Sequence, residues 1–162
     1  MSITSSEAPQ GAAGWELPLL LLAGFRAVID EAHADLAARG HPELRPTHGF
    51  AMQAIGTFGA TAADVGRRLG VSKQAAGKTI DRLAELGYVE RGAAAADRRR
   101  KLVRLTPRGT EALVLSAAAF GRVRARWAAE LGADRVAALE ADLRTAAPGQ
   151  ALRLDLPGWL GG

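Results

Sequence analysis

The chain has no cysteine in its 162 residues. That excludes disulfides, zinc–thiolate sites and thiol redox chemistry, and it fits a cytoplasmic location. Aromatic residues make up only 5% of the sequence, against 48% for all apolar types, so the apolar share is chiefly Ala and Leu, a composition suited to helices. Long hydrophobic runs are missing too. The most apolar stretch, residues 17–29, is interrupted by Pro18 and Arg26 and is too short to cross a bilayer, and no basic region of a signal peptide precedes it. A buried helix, with no membrane partner, is the expectation.

Enzyme signatures are lacking as well. There is no G-x-S-x-G, no phosphate-cradling glycine loop and no cysteine nucleophile, and the glycines are scattered among turns and helix ends. The three histidines, His33, His41 and His48, come from separate segments without an H-x-x-x-H pair, so neither a metal nor a cofactor is expected.

What is present is an uneven charge. The net charge is +4, but residues 61–109 hold twelve Lys/Arg against five Asp/Glu, while the remainder holds nine against twelve. A basic centre between acidic flanks suggests a polyanion-binding module on a neutral or acidic scaffold. A solvated basic surface would show the same imbalance, so the pattern within that centre has to decide.

Residues 1–14, rich in Ser, Ala, Gly and Pro, read as a flexible tail. A helix should follow from 15 or 18 to 39, with Leu19, Leu22, Arg26, Ile29, His33 and Leu36 at helical spacing. Leu20, Leu21 and Phe25 lie off that stripe, so the early half needs burial on more than one side, as at a subunit interface. Thr47 is the expected cap of a second helix over 48–57.

Thr61 is placed to cap a helix ending at Leu69, Gly70-Val71 gives a tight turn, and Ser72 is placed to cap a helix to about Leu86. In that last helix Ala76, Ile80, Leu83 and Ala84 form an apolar stripe opposite Gln74, Gly77, Lys78, Asp81, Arg82 and Glu85. Two short helices about a tight turn are the arrangement that sets a second helix in the major groove. Ser72, Lys73, Gln74 and Lys78 suit it chemically: Lys neutralises phosphate or reads guanine, Gln pairs with adenine, and Gly77 keeps the face slim. Arg82 is a further candidate, in competition with intrahelical pairing to Asp81 or Glu85.

Residues 88–91 and 101–105 read as strands about a loop over 92–100, whose Asp97, Arg98, Arg99 and Arg100 are candidates for the minor groove. Thr106-Pro107 starts a helix to about 131 with Leu113, Ala117, Phe120, Val123 and Trp127 as its apolar face. A last helix spans 133–146, with Val136, Leu139 and Leu143 in register. The apolar tail that follows (Leu152, Leu154, Leu156, Trp159) is expected to pack on a partner subunit or on its own chain.

The strings L-G-V-S-K-Q-A, L-x-x-L-G-Y-V-E-R and D-R-R-x-K-x-V-x-L-T-x-x-G, all within residues 61–109, resemble the MarR family of bacterial winged helix-turn-helix regulators. The resemblance implies a fold that is mainly α with a small β-wing. Residues 47–106 would form the DNA-binding lobe, and 15–46 with 107–162 the dimerisation helices and tail. It implies that Ser72, Lys73, Gln74 and Lys78 face DNA, and that Asp97 orients Arg99 into the minor groove. It further implies a homodimer on pseudo-palindromic duplex DNA, usually a repressor, released when a small aromatic or phenolic acid binds between arm and lobe. For such an effector Trp15, Arg26, His48, Met52 and Trp127 are the candidates, with Arg26 as anion anchor. Winged helices also serve as protein or RNA adaptors, and a DNA-binding regulator without an effector is a further alternative.

Overall fold

In the computed structural model, the described residues are 14–94 and 97–147, and side chains 93–101 lie outside the description. Six helices and one hairpin follow in the order α1 (Glu16–Ala38), α2 (Pro46–Ile55), α3 (Ala62–Leu69), α4 (Lys73–Glu85), β1 (Val89–Ala94), β2 (Asp97–Leu105), α5 (Pro107–Leu131) and α6 (Ala133–Ala146). Helices α2, α3 and α4 pack with the hairpin into a lobe, while α5 runs back along α1 and carries α6.

Most boundaries are set by side-chain caps. The Thr61 hydroxyl accepts the Asp64 N–H, and the Asp64 carboxylate accepts from both the Thr61 N–H (3.0 Å) and its hydroxyl (2.6 Å), closing a capping box on α3. These bonds hold the Asp64 carboxyl down at about 2. Ser72 accepts from Ala75 on α4, and Thr106 from Gly109 on α5. Gly70, at φ +68°, supplies the left-handed residue that ends α3.

Three sequence expectations need correction. Helix α2 begins two residues earlier than Thr47 would allow: Arg45 is its N-cap residue and Pro46 opens its first turn. Proline fits there because its fixed φ is helical and its absent N–H is not needed. The hairpin is longer than expected, with much of the 92–100 loop paired in β1 and β2; the ladder runs from Val89↔Leu105 through Arg91↔Val103 to an irregularity at Ala93/Ala94. Cross-strand pairing is a non-local gain that the polar run of β2 does not announce. The buried stripe of α5 is Ala112, Ser116, Ala119 and Val123, with Phe120 half-buried and Ala117 exposed. Small residues are buried because α5 lies close along α1. Its arginines fasten it: Arg122 to Asp35, Arg126 to Glu31 on α1, and Arg124 to Glu140 on α6.

The lobe core comprises Met52, Ile55, Val65, Leu69, Ile80, Leu83, Tyr88 and Val103. Ile80 and Leu83 are wholly buried. Truncating either to Ala would cost about 2–5 kcal/mol, so α4 is held firmly by its inner face. No helix among the described residues is long and apolar enough to cross a membrane.

Candidate nucleic-acid interface

Helix α4 turns one face into that core and the other outward. Ser72, Lys73, Gln74 and Lys78 are exposed and Gly77 is half-buried, all in the first two turns, while Ala76, Ile80 and Leu83 are buried behind them. With no side chain at Gly77 and only methyls at neighbouring alanines, the outer face is a low surface from which two ammonium groups and one amide project. The N-terminal end of the helix adds a fixed positive partial charge to them.

The geometry around this face is tied together. Helix α3 approaches closely enough that a Cβ on Gly66 would lie 2.9 Å from the Val71 carbonyl oxygen. Glycine there permits the tight turn into α4. Arg91 on β1 pairs with Asp81 on α4, joining hairpin and helix from the outside. Arg82, a sequence candidate for contact, pairs with Glu85 at 2.9 Å on the exposed side of α4. Asp97, Arg98, Arg99 and Arg100 fall on β2 at the end of the hairpin away from the core; their side chains are outside the described region.

The proposed effector residues are not brought together. Trp15 and Arg26 are exposed on α1, Met52 is wholly buried in the lobe core, and Trp127 is half-buried beside Phe120, Leu139 and Leu143 in a separate cavity of about 310 Å³. His48 is 8% exposed. Its Nδ1 accepts the Arg45 N–H at 3.2 Å and so helps to close the start of α2. Burial first, then the charges of Arg82, Arg45 and His33, hold the His48 pKa below 6.5. A cleft does lie between α1, α2 and α5, but its lining is Ile29, His33, Leu36, Phe50, Gln53 and Phe120 among others. Its free volume is about 20 Å³, room for roughly one water. Burial likewise lowers the His33 pKa, with Arg45 adding to it and the Leu44 backbone and Asp30 opposing. Among the described residues no group of three or more His, Asp or Glu is gathered as metal ligands would be.

Sequence reasoning missed two groups. Tyr88, His41 and Arg108 converge at the root of the lobe, and Arg91 with Asp81 braces the hairpin. For Tyr88 the signal was available: a lone tyrosine between a helix end and a strand, in a chain with no other. Nothing local marks His41 as its partner, 47 positions away.

Residues 44–100 match the MarR family in sequence. No curated protein matches the chain. Among solved structures, the apo form of MarR from E. coli is similar at a TM-score of 0.64 and 22% identity, covering 86% of this chain and all of that one. PcaV from Streptomyces coelicolor, solved in complex with its natural ligand, is similar at 0.62 and 19%, covering 89% and 98%. A mutant of S. aureus MepR bound to an oligodeoxyribonucleotide is similar at 0.57 and 15%, covering 83% and 96%. Residues 44–100 are thus similar to the MarR family in sequence, and the chain shares the fold of E. coli MarR.

Proposed function

We propose that the protein binds duplex DNA as a homodimer, reads a pseudo-palindromic operator and represses transcription from it. The observation that carries this reading is the outer face of α4. Lys73, Gln74 and Lys78 are exposed on a helix whose opposite face is locked in the core. Such a face can enter a major groove without deforming the lobe. Arg98, Arg99 and Arg100, in the sequence of β2, add positive charge of the kind that suits a minor groove. An adaptor reading would call for exposed large apolar or acidic groups at the N-terminal end of this face, where Ser72, Lys73, Gln74 and Lys78 stand instead. The acids Asp81 and Glu85 lie further along α4 and pair with Arg91 and Arg82.

Release by a small aromatic or anionic effector belongs to the same proposal, at the cleft between α1, α2 and α5. The lining favours the aromatic alternative: Phe50, Phe120 and Leu36 offer apolar walls, and Arg26 is not among the lining residues. A ligand would have to widen this cleft, thereby turning the lobe against the arm. The small free volume favours a second reading, a DNA-binding regulator that takes no effector.

The test is fluorescence anisotropy with duplex fragments from the region upstream of the protein's own gene, across a salt series. Sub-micromolar binding to one palindromic fragment with a steep salt slope is expected. Lys78→Ala and Arg99→Ala should each weaken binding to every duplex and flatten that slope by about one unit. Absence of binding at low salt would refute the reading. Planar aromatic acids and neutral aromatics added to the complex separate the two effector readings: dissociation by either supports release, and none by any supports the second.

A further inference from the structure

Three chain segments meet at the root of the lobe: the connector after α1, the residue that follows the α4 exit turn, and the first turn of α5. Tyr88 stands at their centre, wholly buried. The Arg108 guanidinium donates to its hydroxyl at 3.2 Å and to the Gly40 carbonyl at 3.1 Å, and lies over its ring with the central carbon 4.8 Å from the centroid. On the other side His41, 2% exposed, places Nδ1 at 2.9 Å from the same hydroxyl.

A guanidinium only donates, so the Tyr88 oxygen accepts from Arg108, and it shares a second hydrogen bond with His41 Nδ1 whose direction is set by the imidazole tautomer. His41 Nε2 faces Glu111 at 4.0 Å. One phenolic oxygen thus bonds both the start of α5 and the connector after α1. The Tyr88 backbone, in turn, is anchored to the α5 cap, since its carbonyl accepts the Thr106 N–H at 3.0 Å.

Phenylalanine would fill the same space. The added hydroxyl and its two partners contribute direction, because hydrogen bonds weaken steeply when bent whereas apolar contacts tolerate sliding. The geometry points to Tyr88, His41 and Arg108 as a positioning cluster that fixes the angle between the α1–α5 arm and recognition helix α4, and so sets the spacing of two DNA half-sites that the protein accepts. This inference rests on the DNA-binding reading and adds to it the residues that carry arm geometry to the reading head.

Two measurements test it on the full chain. First, Tyr88→Phe and, separately, Arg108→Gln are titrated against duplexes in which the two half-sites are moved apart by single base pairs. Wild type should prefer one spacing sharply. Each variant should lose about tenfold at that spacing and approach wild type at its neighbours, with the salt slope unchanged. A merely destabilised protein would lose affinity evenly across spacings. Second, because the chain lacks cysteine, spin labels at Ala75→Cys on α4 and Ala129→Cys on α5, diluted with unlabelled protein, report the arm-to-lobe distance. Tyr88→Phe should broaden that distribution. Unchanged spacing preference or an unchanged distance distribution overturns the cluster's role. If wild type binds no duplex at all, the DNA reading fails, and the distance distribution alone decides whether the cluster fixes the angle.

Discussion

A single ring nitrogen closes the start of α2. Because His48 Nδ1 accepts the Arg45 N–H, it must keep a lone pair there, and protonation at that nitrogen removes the bond. Burial and the nearby Arg82, Arg45 and His33 already hold its pKa below 6.5. The unfolded chain therefore takes up the proton at a higher pH than the folded one. This contribution to stability is complete above 6.5 and is lost as pH falls through the lowered value. His33 acts in the same direction and window. Asp64, held at about 2, loses its contribution only as pH falls from 3.8 toward that value, well clear of the histidines. Glutamine at the third helical position supplies a capping acceptor that does not titrate. His48→Gln should therefore match wild type near neutral pH and show a shallower fall of unfolding temperature as pH drops below 6.5. Parallel falls for the two proteins would show that His48 contributes nothing to acid sensitivity.

Elements that announce themselves locally were legible in the sequence; those that depend on distant partners were not. Thr61, Ser72 and Thr106-Pro107 each combine a side-chain acceptor with a following helical pattern, and α3, α4 and α5 start where they indicate. Lys73, Gln74 and Lys78 could be placed on one face for the same reason. The long hairpin and the buried stripe of α5 depend on what lies across from them, and the effector candidates lie apart because the surroundings of Met52 and Trp127 are set by residues distant in the chain. The junction of α5 with the hairpin illustrates such a hidden requirement. A Cβ on Gly109 would lie 2.1 Å from the Tyr88 carbonyl oxygen, a backbone atom that accepts the Thr106 N–H. Gly109→Ala must then push the first turn of α5 off the strand, at a cost of about 1–3 kcal/mol in urea unfolding. Gly121, in the same helix with nothing within 4 Å of its added Cβ, is the control. Gly121→Ala should gain up to about 1 kcal/mol from helix propensity alone. Equal effects at the two positions would mean that the close approach at Gly109 has slack.

At the scale of the whole molecule, the lobe is buried well and the arm is not. Leu17, Leu19, Leu20, Leu21, Leu22 and Phe25 are each between 45% and 66% exposed in the single chain, on the part of α1 beyond its buried Ile29, Ala32 and Leu36. Leu131, Leu139 and Leu143 at the far end of α5 and on α6 are also exposed. Exposed apolar side chains in this number fit the proposed two-fold dimer, which would cover them while presenting two copies of α4 to one face of a duplex. Leu20→Glu combined with Phe25→Glu places two charges in that surface but touches none of the lobe core. Sedimentation should show wild type as a dimer and the double variant as a monomer, with the lobe's secondary structure retained. Each monomer would then carry a single reading helix, so affinity for a palindrome should fall by about 10²-fold or more, while binding to an isolated half-site is unaffected. A monomeric variant that kept full affinity for the palindrome would show that one lobe suffices, and the exposed helices would then require a different partner.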